Sequence, residues 1–255
     1  MKKRNTLVIV LSVVLVIMAT FAALGGDQIR TVVQDPRITA QHTLSINPDQ
    51  PQMTEEEVRN YFQTMSVEYG PDSIGALENY TENARAIRDI AFVGGWTDHL
   101  ISGAGRSDSA LLLFRIEKTG DSREDMYHYL LWSAARSDPG RMLNRLWIRN
   151  QMTDPGSRVI LYSPGSATVA GSRPVRVGIS FETPGVPMPE SDGFPLHEGI
   201  IRPVAGECLV GSAGKFSVEW AGNSENIQVL YGGMVVVTAR GSSPVSTWET
   251  SFTGG

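Results

Sequence analysis

The 255-residue chain contains a single cysteine, Cys208. One thiol cannot close an intramolecular disulfide, so the fold must be held by its apolar core. Charge of one sign is also scarce. Lys and Arg number 22 against 27 Asp and Glu, a formal charge of −5, and the cations are scattered. No basic patch is present to follow a phosphate backbone, which argues against a nucleic-acid partner. Histidine is rare: His42, His99, His128 and His197 lie far apart in sequence. No pair has metal-ligand spacing, so neither a metal nor another cofactor is expected.

Long apolar runs are confined to one place. From Thr6 to Ala23 no residue is charged. At about 1.5 Å per residue such a stretch spans roughly 27 Å as a helix, close to the roughly 30 Å of a hydrocarbon core. Lys2, Lys3 and Arg4 precede it, and the balanced set Asp27, Arg30, Asp35 and Arg37 follows. The positive-inside bias predicts a cytoplasmic N-terminus and a periplasmic or extracellular remainder. Two readings stand: an uncleaved single-pass helix engaging the bilayer through residues 6–26, or an export signal cut behind Ala23-Leu24-Gly25. Length favours the anchor, because a signal's apolar region is usually about 7–15 residues. Asp27 rather than Cys follows Gly26, which rules out lipid attachment there. Ala19, Ala22, Ala23 and Gly26 recur at three- and four-residue steps. They predict a small-residue face that packs against another transmembrane helix.

Residues 27–53 read as a linker, rich in turn-formers at Ser45–Gln52, with a short strand around Ile38–Leu44. The period then changes. Thr54 and Glu57 have the spacing of a capping box, and Val58, Tyr61, Phe62 and Met65 share one helical face. A second helix follows Asp72 or Ser73, with Ile74 and Leu77 inward. Asn79-Tyr80-Thr81 matches a glycosylation sequon but falls inside that helix. The Gly-rich piece from Gly94 to Gly105 predicts a loop and Ala110–Ile116 a strand. "REDMYHYLLWSAARSDPG" predicts a third helix with Met126, Tyr129 and Leu130 inward. "RMLNRLWIRNQM" predicts a fourth, with Leu143, Leu146 and Trp147 inward and Arg141, Arg145 and Arg149 outward. Asp154-Pro155-Gly156 reads as a boundary. Beyond it about seven short apolar stretches, among them Val159–Tyr162, Phe216–Ala221 and Thr247–Phe252, predict strands. Tyr231-Gly232-Gly233-Met234 carries a hairpin-turn signal. The expectation is an α+β chain: anchor at 1–26, linker at 27–53, mostly helical region at 54–154, and an all-β sandwich or small barrel at 155–255. Whether the two halves form one domain or two is left open.

Catalytic motifs are absent. Gly211–Ser217 lacks the hydroxyl and the glycine spacing of a phosphate loop. His197-Glu198 begins like a zinc-protease motif, but Ile201 stands where the second His belongs. The acidic loop Pro189–Gly199 fits no calcium-loop spacing. Asp98 and His99, beside the Gly-rich piece, are the one local candidate for an acid–base pair, with Ser107 as a neighbouring hydroxyl. The five tryptophans raise the alternative of carbohydrate stacking. The reading favoured by architecture is non-enzymatic: a membrane-tethered assembly subunit of a larger envelope or membrane complex, acting through protein–protein contacts and compatible with an oligomer. A secretion or conjugation apparatus, a bioenergetic complex or a viral membrane particle would use such a part. A membrane-anchored hydrolase with a composite site and a carbohydrate- or ligand-binding module are the alternatives.

Overall fold

The computed structural model describes residues 38–117, 123–181, 188–189 and 193–255. The expected anchor at 6–26, with Ala19, Ala22, Ala23 and Gly26, lies outside them. Among the described residues no helix is long and apolar enough to cross a membrane. Strands occupy 54% of the described residues and helices 15%. The expectation of a mostly helical first half is therefore wrong. The described residues form one compact unit.

Two helices follow the first strand, β1 (Ile38–Ile46): α1 (Glu55–Tyr69) and α2 (Pro71–Ala86). The capping box is present, with the Thr54 hydroxyl accepting from Glu57 N and the Glu57 carboxylate accepting from Thr54 N. Gly70, at φ +87°, ends α1 in a region that favours glycine, and Pro71 starts α2, where its missing N–H costs nothing. A meander comes next: β2 (Ile90–Ser102), β3 (Gly105–Ile116) and β4 (Glu124–Ser137). It is followed by β5 (Leu143–Met152), β6 (Arg158–Ser163), β7 (Thr168–Val169), β8 (Val175–Val177), β9 (Phe194–Leu196), β10 (Ile200–Pro203), β11 (Gly211–Ser212), β12 (Lys215–Ser224), β13 (Gln228–Ala239) and β14 (Ser246–Gly254). Sheet A has the order β1-β14-β5-β12-β10-β7 and sheet B the order β11-β6-β13-β4-β3-β2; β8 and β9 pair by themselves.

The sheets pack face to face, and the helices cover the other face of sheet B. Across the inter-sheet core Tyr162 stacks on Phe216 at 5.3 Å, and the Tyr129 hydroxyl donates to Pro244 O at 2.8 Å. On the helix side Trp132 Nε1 and the Tyr231 hydroxyl both donate to Ser73 O, at 3.0 and 2.8 Å. Tyr61 and Tyr69 lie edge-on to Trp132. Sheet B is thus buried on both faces, which explains the corrected third helix. In β4 residues Tyr127 and Tyr129–Ala135 are all buried. A strand covered on both sides shows no alternation, so its apolar run cannot be told from a buried helix by period.

The fourth predicted helix is β5. Leu146, Ile148, Asn150 and Met152 point into the core, while Arg145, Trp147, Arg149 and Gln151 alternate with them on the outer face. The Gly94–Gly105 loop is mostly β2. Gly94 and Gly95 lie in the strand because Cβ atoms there would come within 2.3 Å of Pro51 and 2.6 Å of Val58. The Gly232-Gly233 turn is likewise absent, and β13 runs straight through. A Cβ on Gly232 would sit 2.6 Å from the Phe216 ring, and one on Gly233 would sit 2.8 Å from Tyr129 O. These glycines permit close packing rather than a reversal. The segment around Asp154-Pro155-Gly156 connects β5 in sheet A to β6 in sheet B.

Candidate interaction surface and buried polar pairs

Asp98 and His99 are consecutive in β2, so their side chains leave opposite faces of sheet B. Asp98 turns into the inter-sheet core. It bonds His42 Nδ1 of β1 at 2.6 Å and accepts a hydrogen bond from Thr250 of β14. One carboxylate thereby ties the edge of sheet B to two strands of sheet A. His99 turns to the helix side, where its Nδ1 meets Asp108 at 2.7 Å. The other oxygen of Asp108 accepts from the Tyr69 hydroxyl of α1 at 2.6 Å. Ser107 is fully buried and faces the core, away from His99. The structure therefore makes two separate Asp–His pairs, Asp98–His42 and Asp108–His99, and does not bring Asp98, His99 and Ser107 together. Four open clefts, of about 470, 400, 380 and 190 Å³, are lined by other residues.

His128, in β4, is enclosed by Tyr80, Phe114 and Phe181. Its Nδ1 lies 3.0 Å from the Tyr80 hydroxyl. Burial pushes its pKa down to about 3, so the ring is neutral at physiological pH. Cys208 is half-buried with its thiol 3.2 Å from Ser217 O, and burial pushes its pKa up, which disfavours the thiolate nucleophile. Among the described residues no cluster of three or more His, Cys, Asp or Glu is placed to hold a metal. Trp96, Trp132, Trp220 and Trp248 are core residues, each 1% exposed or less.

Trp147 is different. It sits on the outer face of sheet A, which the helices do not cover, at the centre of β5. The guanidinium carbons of Arg145 and Arg149 flank its ring at 5.5 and 5.4 Å from the centroid. Around this stack lies a grid of ion pairs. Glu219 of β12 takes Arg145 and Arg202; Glu249 of β14 takes Arg149 and Gln41 of β1; Glu207 takes Lys215 at 2.7 Å. The Glu219 and Glu249 side chains are only 7% exposed, whereas Arg145 and Arg202 are 44% and 50% exposed. The carboxylates are shielded beneath the arginines, whose guanidinium groups meet solvent, while the Trp147 ring between them is half-buried with its Nε1 shielded. The five-residue alternation from Arg145 to Arg149 carried this signal in the sequence, but a helical reading put Trp147 on the packing side.

No protein-family model and no curated protein matches the chain.

Proposed function

We propose that the protein is a membrane-tethered extracytoplasmic assembly subunit that binds other proteins of a larger envelope or membrane complex through the outer face of sheet A. The observation that carries this reading is the Arg145–Trp147–Arg149 stack on a sheet face that neither of the described helices covers. Trp and Arg are the residues most enriched among those that dominate binding energy, and they act best at the centre of a patch. Here the stack lies on β5, a central strand, with ion-paired polar groups around it. Arginine pairs held over carboxylates are already ordered, so docking would cost little side-chain entropy. The tether rests on the sequence of residues 6–23, which supplies the length for a crossing and, by its flanking charges, the orientation.

The test is assembly size. Full-length protein is extracted gently from native membranes and sized in its complex, beside the variants Trp147→Ala and Thr43→Arg. Thr43 is exposed on β1, so the second change adds bulk and charge with little effect on folding. Both variants should lose the large species while remaining in the membrane and melting cooperatively. Wild-type complex size in both would overturn the reading.

A further inference from the structure

A second surface lies on the opposite layer of the molecule. α1 and α2 run side by side on sheet B and leave a cleft of about 190 Å³ between them, the size of one large side chain. Its floor is apolar: Val58 and Phe62 are almost fully buried, and Thr81 commits its hydroxyl to Leu77 O at 2.8 Å. One end is closed by the Glu55–Arg85 ion pair, which bridges the two helices. Along the α2 rim stand Glu78 and Glu82, one helical turn apart. Among the described residues neither has an ion-pair partner.

Like charges at this spacing repel each other on a helix. Burial first, and Glu82 second, hold the Glu78 carboxyl above the ordinary carboxylate range. Arg59, on the α1 rim, is not among the groups that set it. The Glu78 carboxylate is held at a cost that an incoming cation would reduce. An isolated apolar hole would accept any hydrophobic knob; an apolar hole lined by three glutamates, Glu55, Glu78 and Glu82, against two arginines, Arg59 and Arg85, favours a cationic one.

We propose that the α1–α2 groove is a docking site for a cationic amphipathic segment of a partner protein, which seats one apolar side chain on Val58 and Phe62 and places a Lys or Arg against Glu78 and Glu82. The inference does not depend on the outer face of sheet A, and its test leaves that face untouched.

The experiment is equilibrium thiol–disulfide exchange on the full chain. A cysteine is introduced at the groove rim by Gln63→Cys in a Cys208→Ser background, with exposed Ser166→Cys as the reference site. The probes are bis(4-aminomethylphenyl) disulfide, its neutral hydroxymethyl counterpart and 4,4′-dithiodibenzoate, with bis(2-hydroxyethyl) disulfide as the non-aromatic comparison. Intact mass gives the extent of modification. Relative to the reference site, Gln63→Cys should favour the cationic aryl probe over the anionic one by about tenfold, the ratio that roughly 1.4 kcal/mol confers. It should also favour the neutral aryl probe over the hydroxyethyl one. The cation preference should fall to near unity when Glu78→Gln and Glu82→Gln are added, with melting unchanged. Equal preferences at the two sites, a cation preference that survives the double Gln variant, or no aryl preference would each overturn the proposal.

Discussion

Acidification should destabilise this protein through one residue, His128. The ring is enclosed by Tyr80, Phe114 and Phe181, and burial pushes its pKa down to about 3 from an ordinary value near 6.5. Because the folded-state pKa lies below the unfolded one, the unfolded chain takes up the proton first. The neutral ring's contribution is fully present above about pH 6.5 and is lost as pH falls from there toward 3. Each pH unit in that window is worth about 1.4 kcal/mol, so going from pH 7 to pH 5 removes about 2 kcal/mol. Against a total stability of roughly 5–15 kcal/mol the loss is readily measured. Glu78 works in the opposite sense, because its raised pKa makes the folded state hold a proton more tightly. A difference measurement isolates His128. Urea unfolding is followed at pH 7 and pH 5 for the wild type and for His128→Asn, whose side-chain oxygen can still accept from Tyr80. The variant should start less stable at pH 7 and lose about 2 kcal/mol less than the wild type on acidification. Parallel losses in the two proteins would refute the reasoning and mean that His128 is protonated in place.

Other expectations follow from the packing. Gly232→Ala places a Cβ 2.6 Å from the Phe216 ring and 2.9 Å from Val218, and should cost about 2 kcal/mol as overpacking. Gly103→Ala meets nothing within 4 Å and serves as the neutral control in the same thermal melts. Arg149→Ala removes the cation over the nearly buried Glu249 carboxylate and should cost about 2 kcal/mol, the scale of a hydrogen bond to a charged group. A change within error would mean that the ion-pair grid adds nothing to stability. Trp132→Phe and Tyr231→Phe each remove one donor from Ser73 O. Either change alone leaves the carbonyl one side-chain donor, and both together leave it only its place in the helix hydrogen-bond ladder. The double variant should therefore exceed the sum of the singles by about 1 kcal/mol in denaturant unfolding. Strict additivity would show that the two donors act independently.

Several features were decided by residues close together in the chain. The capping box at Thr54 and Glu57 is local chemistry, as are the Val58–Phe62–Met65 face, the break at Gly70-Pro71 and the apolar–polar alternation of Phe216–Trp220 in the sequence of β12. These were legible because hydrogen bonds within four residues, or exposure of one face to solvent, imprint a period on the sequence. The lone Cys208, the scattered charge and the missing catalytic motifs were legible in the same way. The tertiary structure alone decided the rest. It made β4 a strand, because helices on one side and sheet A on the other bury both of its faces and erase the alternation. It made Gly232 and Gly233 mid-strand residues, because Phe216 and the Tyr129 carbonyl stand where side chains would go. It separated Asp98 from His99, because neighbours along a strand face opposite layers, and gave each a partner on another strand: His42 of β1 for Asp98, and Asp108 across the β2–β3 hairpin for His99. It also placed Trp147, half-buried between two arginines, on the face away from the helices, since which sheet face receives the helices depends on how the whole chain packs.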